Sequence, residues 1–390
     1  MSREKRLEFI QKIQELRGSK VIVYFTGDRP GLSSQIAEDA VLPIYRHLLQ
    51  INTNSSEGKK IDLFLYTRGG DVSVPWRVVT MIREFCEEFS VLIPYKAYSA
   101  GTMIAIGSDN VIMGKKAELS PIDPTLVKSI SGATNVPPPE ISVEDVSSYI
   151  SFMRERATIT DQVALAQVVS QLANHLTPLT LGSVNRQHSH IRLVARKLLT
   201  SRKEKIEENR IGTIIEALTE KMYSHGHAIG RKEAKELGLP IHQPSEELER
   251  LIWNLYQEYE GLLQITEPIN PDELLNQENK EECTINNLPL AVIESSVTLD
   301  LFEMNFTVRR NRNVPSNPQI NINMNLALPA GVDPTSLPQD FQNIVQQLMQ
   351  SINQAIPQIV QQEIIRQSPI IGIEARVFGG KWKEKIDETV

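Results

Sequence analysis

The spacing of apolar positions divides the chain into alternating strands and helices. Leu7, Ile10, Ile13 and Leu16 recur every three residues and predict an amphipathic helix over 3–17. Val21-Ile-Val-Tyr-Phe25 is a short continuous apolar run, a buried strand closed by the Gly27-Asp-Arg-Pro-Gly31 turn cluster. A helix from about Ser34 to Leu49 follows, then a second strand, Ile61-Asp-Leu-Phe-Leu-Tyr66. That strand runs through Thr67-Arg-Gly-Gly-Asp71 into a helix marked by Val78, Val79, Ile82 and Phe85. Val91-Leu-Ile93 and the stretch from Tyr95 read as a strand that stops at a sharp turn and passes directly into a helix with Met103, Ile104 and Ile106 as its body. Asn110-Val-Ile-Met-Gly114 adds a fourth strand. Strand, glycine-rich turn and helix in repetition imply an α/β fold with a mostly parallel sheet.

After this core the pattern changes. Glu118-Leu-Ser-Pro-Ile-Asp-Pro124 has two prolines that exclude a helix interior. Residues 128–140 are poor in large apolar groups and suit a surface loop or a flap. From Ser142 to about Tyr259 the pattern is helical, with breaks expected at Thr177-Pro178, at Gly212 and at Tyr223-Ser-His-Gly-His-Ala-Ile-Gly230, and a short helix closed by Gly238. The acidic segment 263–284 carries Pro268 and Pro271 and is expected to be a linker. Beyond it, Ala291–Phe302 and Gln319–Leu328 alternate apolar and polar residues as half-buried strands do, and Phe341–Ile365 keeps a helical spacing. The expected organisation is thus a helix over 1–17, an α/β domain with a helical extension over 18–262, and a small α+β accessory domain over 285–390.

Composition narrows the function classes. A net charge of −7 over 390 residues leaves no basic stripe for nucleic acid. Two cysteines, Cys86 and Cys283, imply neither a disulfide framework nor a metal site. The longest apolar runs are strand-sized, so no membrane span is expected. Met1-Ser-Arg-Glu-Lys-Arg lacks the apolar core of a signal peptide, and the expected location is the cytoplasm.

The residue with chemical potential is Ser99, placed between a strand and a helix. Its hydroxyl either caps that helix or stands free beside backbone N–H groups as a nucleophile. The Gly69-Gly70 turn follows the preceding strand, so both turns are expected at the same sheet edge, where α/β proteins bind ligands. Without side chains to shield them, the N–H groups of Gly69 and Gly70 could join that of Ala100 in holding a carbonyl oxygen.

The Gly69-Gly70-Asp71 turn, Ser99-Ala-Gly-Thr102, Ile112-Met-Gly114 with Leu119-Ser-Pro-Ile-Asp-Pro124, and Tyr223-Ser-His225 leading into Glu233-Ala-Lys-Glu-Leu-Gly238 together resemble the serine dehydrogenase proteinase family of the Clp protease/crotonase superfamily, related to signal peptide peptidase A. The resemblance spans residues 18–242. It implies a spiral of ββα units, a serine peptidase acting on extended polypeptides, Ser99 as nucleophile, an oxyanion hole at Gly69 and Ala100, self-assembly into a homo-oligomer, and no cofactor. In the Clp subfamily a histidine follows the serine in the region that here reads Ser120-Pro-Ile-Asp-Pro124, which has none. His225 lies in a motif that resembles the family's own and is the first candidate for the base. His227, Lys128 and Lys197 are alternatives, with His188 and His190 further off, and Asp123 either orients a base or caps a turn. Two other readings are weighed against the peptidase: a non-catalytic peptide-binding scaffold of the same fold, and a crotonase-type acyl-CoA enzyme. The Gln-rich accessory domain suits recruitment of a protein partner or of substrate.

Overall fold

In a computed structural model the chain is described over residues 2–52, 60–122, 125–127, 140–176, 178–221, 227–277, 280–314 and 338–385. Lys20–Thr26, Lys60–Tyr66, Glu88–Ile93, Asn110–Met113 and Ile241–His242 are consecutive parallel neighbours in one sheet. Their near-continuous apolar sequences are explained by coverage of both faces. Along Val21–Phe25 the side chains alternate: Ile22 and Tyr24 enter one core, with helices Val41–Asn52, Val74–Arg83 and Ala100–Ile106, while Val21, Val23 and Phe25 enter the other, with Arg3–Arg17 and Glu246–Leu262. Phe25 stacks on Tyr66 at a centroid distance of 4.3 Å.

Several expectations are corrected. The helix expected from Ser34 begins only at Glu38, because Ile36 is held extended: its N–H donates to Gly69 O at 2.7 Å and its carbonyl accepts from Asp71 N at 2.9 Å. Strand Glu88–Ile93 ends before Tyr95, and Lys96–Ala97 joins a separate three-stranded sheet with Glu118–Leu119 and Ile229–Gly230. Gly212 breaks nothing, since helix Glu208–Glu216 runs through it. The interruption lies instead between Thr200 and Glu208. The expected linker contains helix Pro271–Gln277.

The C-terminal portion does not begin a separate fold at 285. Strand Glu282–Ser295 lies antiparallel to Lys20–Thr26, with Ile22 opposite Ser295 and Thr26 opposite Ala291. Leu299–Arg312 and Ile370–Glu384 extend the same sheet. Two compact units result: one comprises the chain to Ile269 with Pro289–Glu303 and the segment from Gly380, the other Asn270–Leu288 with Met304–Gly379. The helix expected over 341–365 spans Gln339–Gln367. The strand expected over 319–328 and the loop expected over 128–139 lie outside the described residues.

In the first unit a buried ion pair ties three elements. Arg6, on the N-terminal helix, is fully buried, and its Nε donates to Glu294 Oε2 at 2.7 Å. Tyr259, on helix Glu246–Leu262, donates its hydroxyl to the same oxygen at 2.7 Å, and its ring lies 5.6 Å from the Arg6 guanidinium. Burial, and then the Glu294 charge, push the Tyr259 hydroxyl far above its ordinary pKa. Arg6→Ala leaves the buried Glu294 carboxylate with only the Tyr259 hydroxyl and the longer ion pair from Arg3 Nε at 3.4 Å, for which a loss of up to about 3–5 kcal/mol is expected. A double Arg6→Leu/Glu294→Leu variant is expected to lose less. Denaturant midpoints of the two proteins check this, and equal losses would show that the charge pairing is not the controlling feature.

Candidate active site

The site is built at the edge where Lys60–Tyr66 ends. Gly69 and Gly70 have φ of 113° and 146°, conformations that side-chain-bearing residues rarely adopt. Space reinforces the requirement. A Cβ on Gly70 would lie 2.2 Å from Ile36 O, and one on Gly69 would lie 2.8 Å from Ser99 Cβ. The two turns expected to meet therefore do meet, with Gly69 directly against Ser99.

Ser99 has φ 48° and ψ −109°, a sparsely populated conformation for a residue with a side chain, with a cost of about 1–3 kcal/mol. Neighbouring hydrogen bonds hold it there. Its N–H donates to Ser120 Oγ at 2.8 Å, its carbonyl accepts from Met103 N at 3.0 Å, and Gly101 N donates to Tyr98 O at 2.8 Å. Thr102 Oγ1 lies 2.9 Å from both Ala97 O and Ser120 O and accepts from Ser120 N at 3.0 Å, so Thr102 clamps the two segments together. A Cβ on Gly101 would collide with Thr67 Cγ2 at 2.5 Å. The Ser99 hydroxyl makes no capping hydrogen bond to the helix that follows, although the residue is only 8% exposed. Of the two uses open to a serine at this turn, the cap is not the one adopted.

The backbone donors sort differently from the expectation. Gly69 N–H donates to Thr67 Oγ1 at 2.9 Å, and Thr67 Oγ1 also accepts from Thr26 Oγ1 at 2.8 Å. That donor is committed. Among the described residues no protein acceptor pairs with the N–H of Gly70 or of Ala100.

The candidate bases are distributed as follows. His225, Asp123 and Lys128 lie outside the described residues. Lys197 sits on helix Pro178–Thr200, its ammonium 5.4 Å from the centroid of the Trp76 ring. His188 and His190 are on the same helix. His227 Nε2 is 2.9 Å from Glu233 Oε1, a side-chain pair two residues ahead of strand Ile229–Gly230. This strand pairs with Glu118–Leu119, Ile229 opposite Leu119, and Leu119 in turn is opposite Ala97. The two outer strands run in opposite directions, so Ser99 and His227 leave the same end of this small sheet. Two strand spacings, roughly 10 Å, separate Ala97 from Ile229. Among the described residues no side-chain nitrogen hydrogen-bonds Ser99 Oγ, and no cluster of His, Cys, Asp or Glu could hold a metal ion.

A cavity of about 690 Å³ is lined by Asp28, Tyr66, Arg68, Tyr95, Lys96 and Tyr256, among others, and by none of Gly69, Gly70, Ser99 or Ala100. Asp28 organises it, accepting from Lys96 Nζ at 2.7 Å, Arg68 at 3.1 Å and Tyr66 OH at 3.2 Å. Burial, and then the Asp28 charge, raise the Tyr66 hydroxyl well above its ordinary pKa, so it remains a donor. Nearby, burial pushes the Glu118 carboxyl up, but hydrogen bonds from Lys116 and Tyr98 outweigh it and keep Glu118 below the usual carboxylate range. Away from the site, Cys86 is half-buried at the end of helix Val74–Arg83, and burial pushes its thiol up to about 12.

Ser120, Thr67 and Thr102 were not expected to shape the site. Ser120 is adjacent to Pro121 in the Leu-Ser-Pro motif, but nothing in a linear pattern reveals that its hydroxyl accepts the Ser99 N–H.

Comparison with known proteins bears on this arrangement. Two uncharacterized proteins of Methanocaldococcus jannaschii, MJ0137 and MJ1495, are 24% and 22% identical over 262 and 245 residues. The alignments cover 65% and 61% of this chain and 79% and 71% of theirs. Among solved structures, the 1510-N membrane-bound stomatin-specific protease aligns at 17% identity and a TM-score of 0.35, over 56% of this chain and 79% of that one. ClpP1 from Listeria monocytogenes aligns at 12% and 0.32, over 60% and 98%. Among the described residues no helix is long and apolar enough to cross a membrane. Residues 1–137, which include Gly69, Gly70, Ser99 and Ser120, match the family of ClpP-like SDH-type serine proteinases, and the α/β fold that gathers those residues is ClpP-like.

Proposed function

We propose that the chain is a serine endopeptidase that cleaves extended or unfolded polypeptides through an acyl-enzyme on Ser99. The observation that carries this reading is the turn itself: Ser99 is held in a strained backbone conformation with its hydroxyl free of a helix cap, near two amides that have no acceptor among the described residues. Ser99 Oγ attacks the scissile carbonyl while a base takes its proton. The resulting oxyanion accepts hydrogen bonds from Gly70 N–H and Ala100 N–H. Gly69, the donor first expected, contributes instead by leaving room for the Ser99 side chain. The tetrahedral intermediate collapses, the base returns its proton to the departing amine, and water then repeats the sequence to release the acyl group. An extended substrate suits a site at strand ends, where main-chain pairing positions the scissile bond.

The base is assigned to the segment leading into strand Ile229–Gly230, which carries His225 and His227. What supports this is the shared small sheet and the Glu233 carboxylate beside His227, which can orient an imidazole and stabilise its charged form. Lys128 and Lys197 are the remaining alternatives. The family match supports a peptidase.

Three outcomes are expected. A fluorophosphonate probe labels the wild-type protein at Ser99 and fails to label Ser99→Ala; a correctly folded wild-type protein that never labels would instead favour a peptide-binding scaffold. One of His225→Ala and His227→Ala slows labelling by about 10²–10⁴-fold, and unchanged rates in both variants would move the base to a lysine. Ser120→Ala removes the acceptor of the Ser99 N–H. It is expected to lower kcat by up to about 10²-fold while leaving KM nearly unchanged, because it disturbs the position of the nucleophile and not the binding of substrate. Steady-state kinetics on an unfolded protein substrate separate the two parameters.

A further inference from the structure

Among the described residues the second compact unit presents an open strand edge. Ile370–Glu384 is the last described strand of its sheet, and from Ile370 to Gly380 its residues are exposed apart from Ile373 and Glu374, which are partly so. Ile371 is 69% exposed and Phe378 49%. Such edges pair with other strands unless they are blunted by proline, lysine or a bulge, and 370–378 contains neither residue. The first kink is Gly379, whose φ of 73° ends the regular run.

We propose that this edge is a self-complementary docking strand, pairing antiparallel with the same strand of a second copy of the chain about a two-fold axis at Ala375. The charge pattern selects both the occupant and the register. Opposed residues of an antiparallel pair lie on the same face of the sheet, and side chains alternate between faces, so the axis must pass through a residue and not between two. Centring on Glu374 would oppose two carboxylates, and centring on Arg376 would oppose two guanidinium groups. Centring on Ala375 places Glu374 opposite Arg376 of the second copy, twice by symmetry. The same register sets Ile373 against Val377, a β-branched pair. It also sets Phe378 against Gly372, where a bare backbone leaves room for the ring. Within one chain Arg376 already reaches Glu374 at 2.6 Å, so both charges stand on the face where the second copy would present its own. The ladder would run from Gly372 to Phe378.

An isologous contact of this kind makes a strict demand. In sedimentation velocity of the full chain, Glu374→Arg and Arg376→Glu are each expected to lower the assembled mass by a factor of two. An equimolar mixture of the two variants should restore it, since each then supplies the charges that the other lacks. A role for Glu374 and Arg376 within one chain cannot produce that recovery. Ala375→Cys should form an intermolecular 375–375 disulfide on mild oxidation, because directly opposed residues lie about 4.5–5.5 Å apart at Cα. Circular dichroism confirms that the variants fold. The proposal is overturned if the single variants keep the wild-type mass, if the mixture fails to reassociate, if no 375–375 link forms, or if the strand captures extended peptides in place of a second copy.

Discussion

The approach of three backbone segments without intervening side chains is the constraint on which the site depends. Gly70 lies against the backbone of Ile36, Gly69 against Ser99, and Gly101 against Thr67. A methyl group at any of the three would have to displace a neighbour that is itself committed. Ile36 is bonded to both Gly69 and Asp71, Thr67 Oγ1 to both Thr26 and Gly69, and Ser99 to Ser120 and Met103. These contacts form one network, which is why the strand-end turns converge to within a van der Waals contact. It also explains why Ser99 tolerates a conformation that a free turn would abandon: relaxing it would break hydrogen bonds among buried groups, at about 1–3 kcal/mol for each group left unpaired.

The same network decides which amides remain for chemistry. A buried N–H must find an acceptor, and Thr67 provides one for Gly69. Gly70 points its N–H away from its bridge with Ile36, which uses the carbonyl of Gly69 and the N–H of Asp71. Ala100 begins a helix too early to find an acceptor within it. Among the described residues these two donors have no acceptor, and in the proposed reaction they would need no reorganisation when a charged oxygen forms.

Much of the sheet was readable from the chain. Runs such as Val21–Phe25 and Ile61–Tyr66 are apolar on both faces, and only a strand covered on both sides requires that pattern. The Gly69-Gly70 and Ser99 turns were legible because each follows a strand. Three features were not legible, each for a physical reason. The helix expected from Ser34 starts late because Ile36 is recruited by a turn more than thirty residues away, which no local periodicity records. Gly212 was read as a break, yet it lies in open space on its helix, where a glycine costs only about 1 kcal/mol. The tail beyond 285 was read as a separate fold because its strands alternate. Alternation reports one buried face but does not say which sheet covers it, and residues 291–295 pair with the first strand of the core. At the site, the adjacent glycines Gly69 and Gly70 look alike in sequence, and the hydroxyl of Thr67, which takes the Gly69 N–H, distinguishes them.

The buried polar groups of the first unit follow one rule, applied to different ends. Arg6 and Tyr259 converge on Glu294, which Arg3 also reaches at 3.4 Å, and the result is a rigid junction between a helix, a strand and a second helix. His47 is likewise enclosed, between Ser295 Oγ at 2.9 Å and Asp300 Oδ2 at 3.2 Å. Serine, histidine and aspartate meet there within hydrogen-bonding distance, but all three are fully buried, so no substrate reaches them. Ser99 differs in the opposite respect. Its backbone is bonded through both N–H and carbonyl, while its hydroxyl, at a strand-end edge, has no hydrogen-bond partner among the described residues. Residue types alone would favour the His47 cluster as the reactive centre. On the reading proposed above Ser99 is favoured instead, because among the described residues the fold positions its hydroxyl and does not already use it.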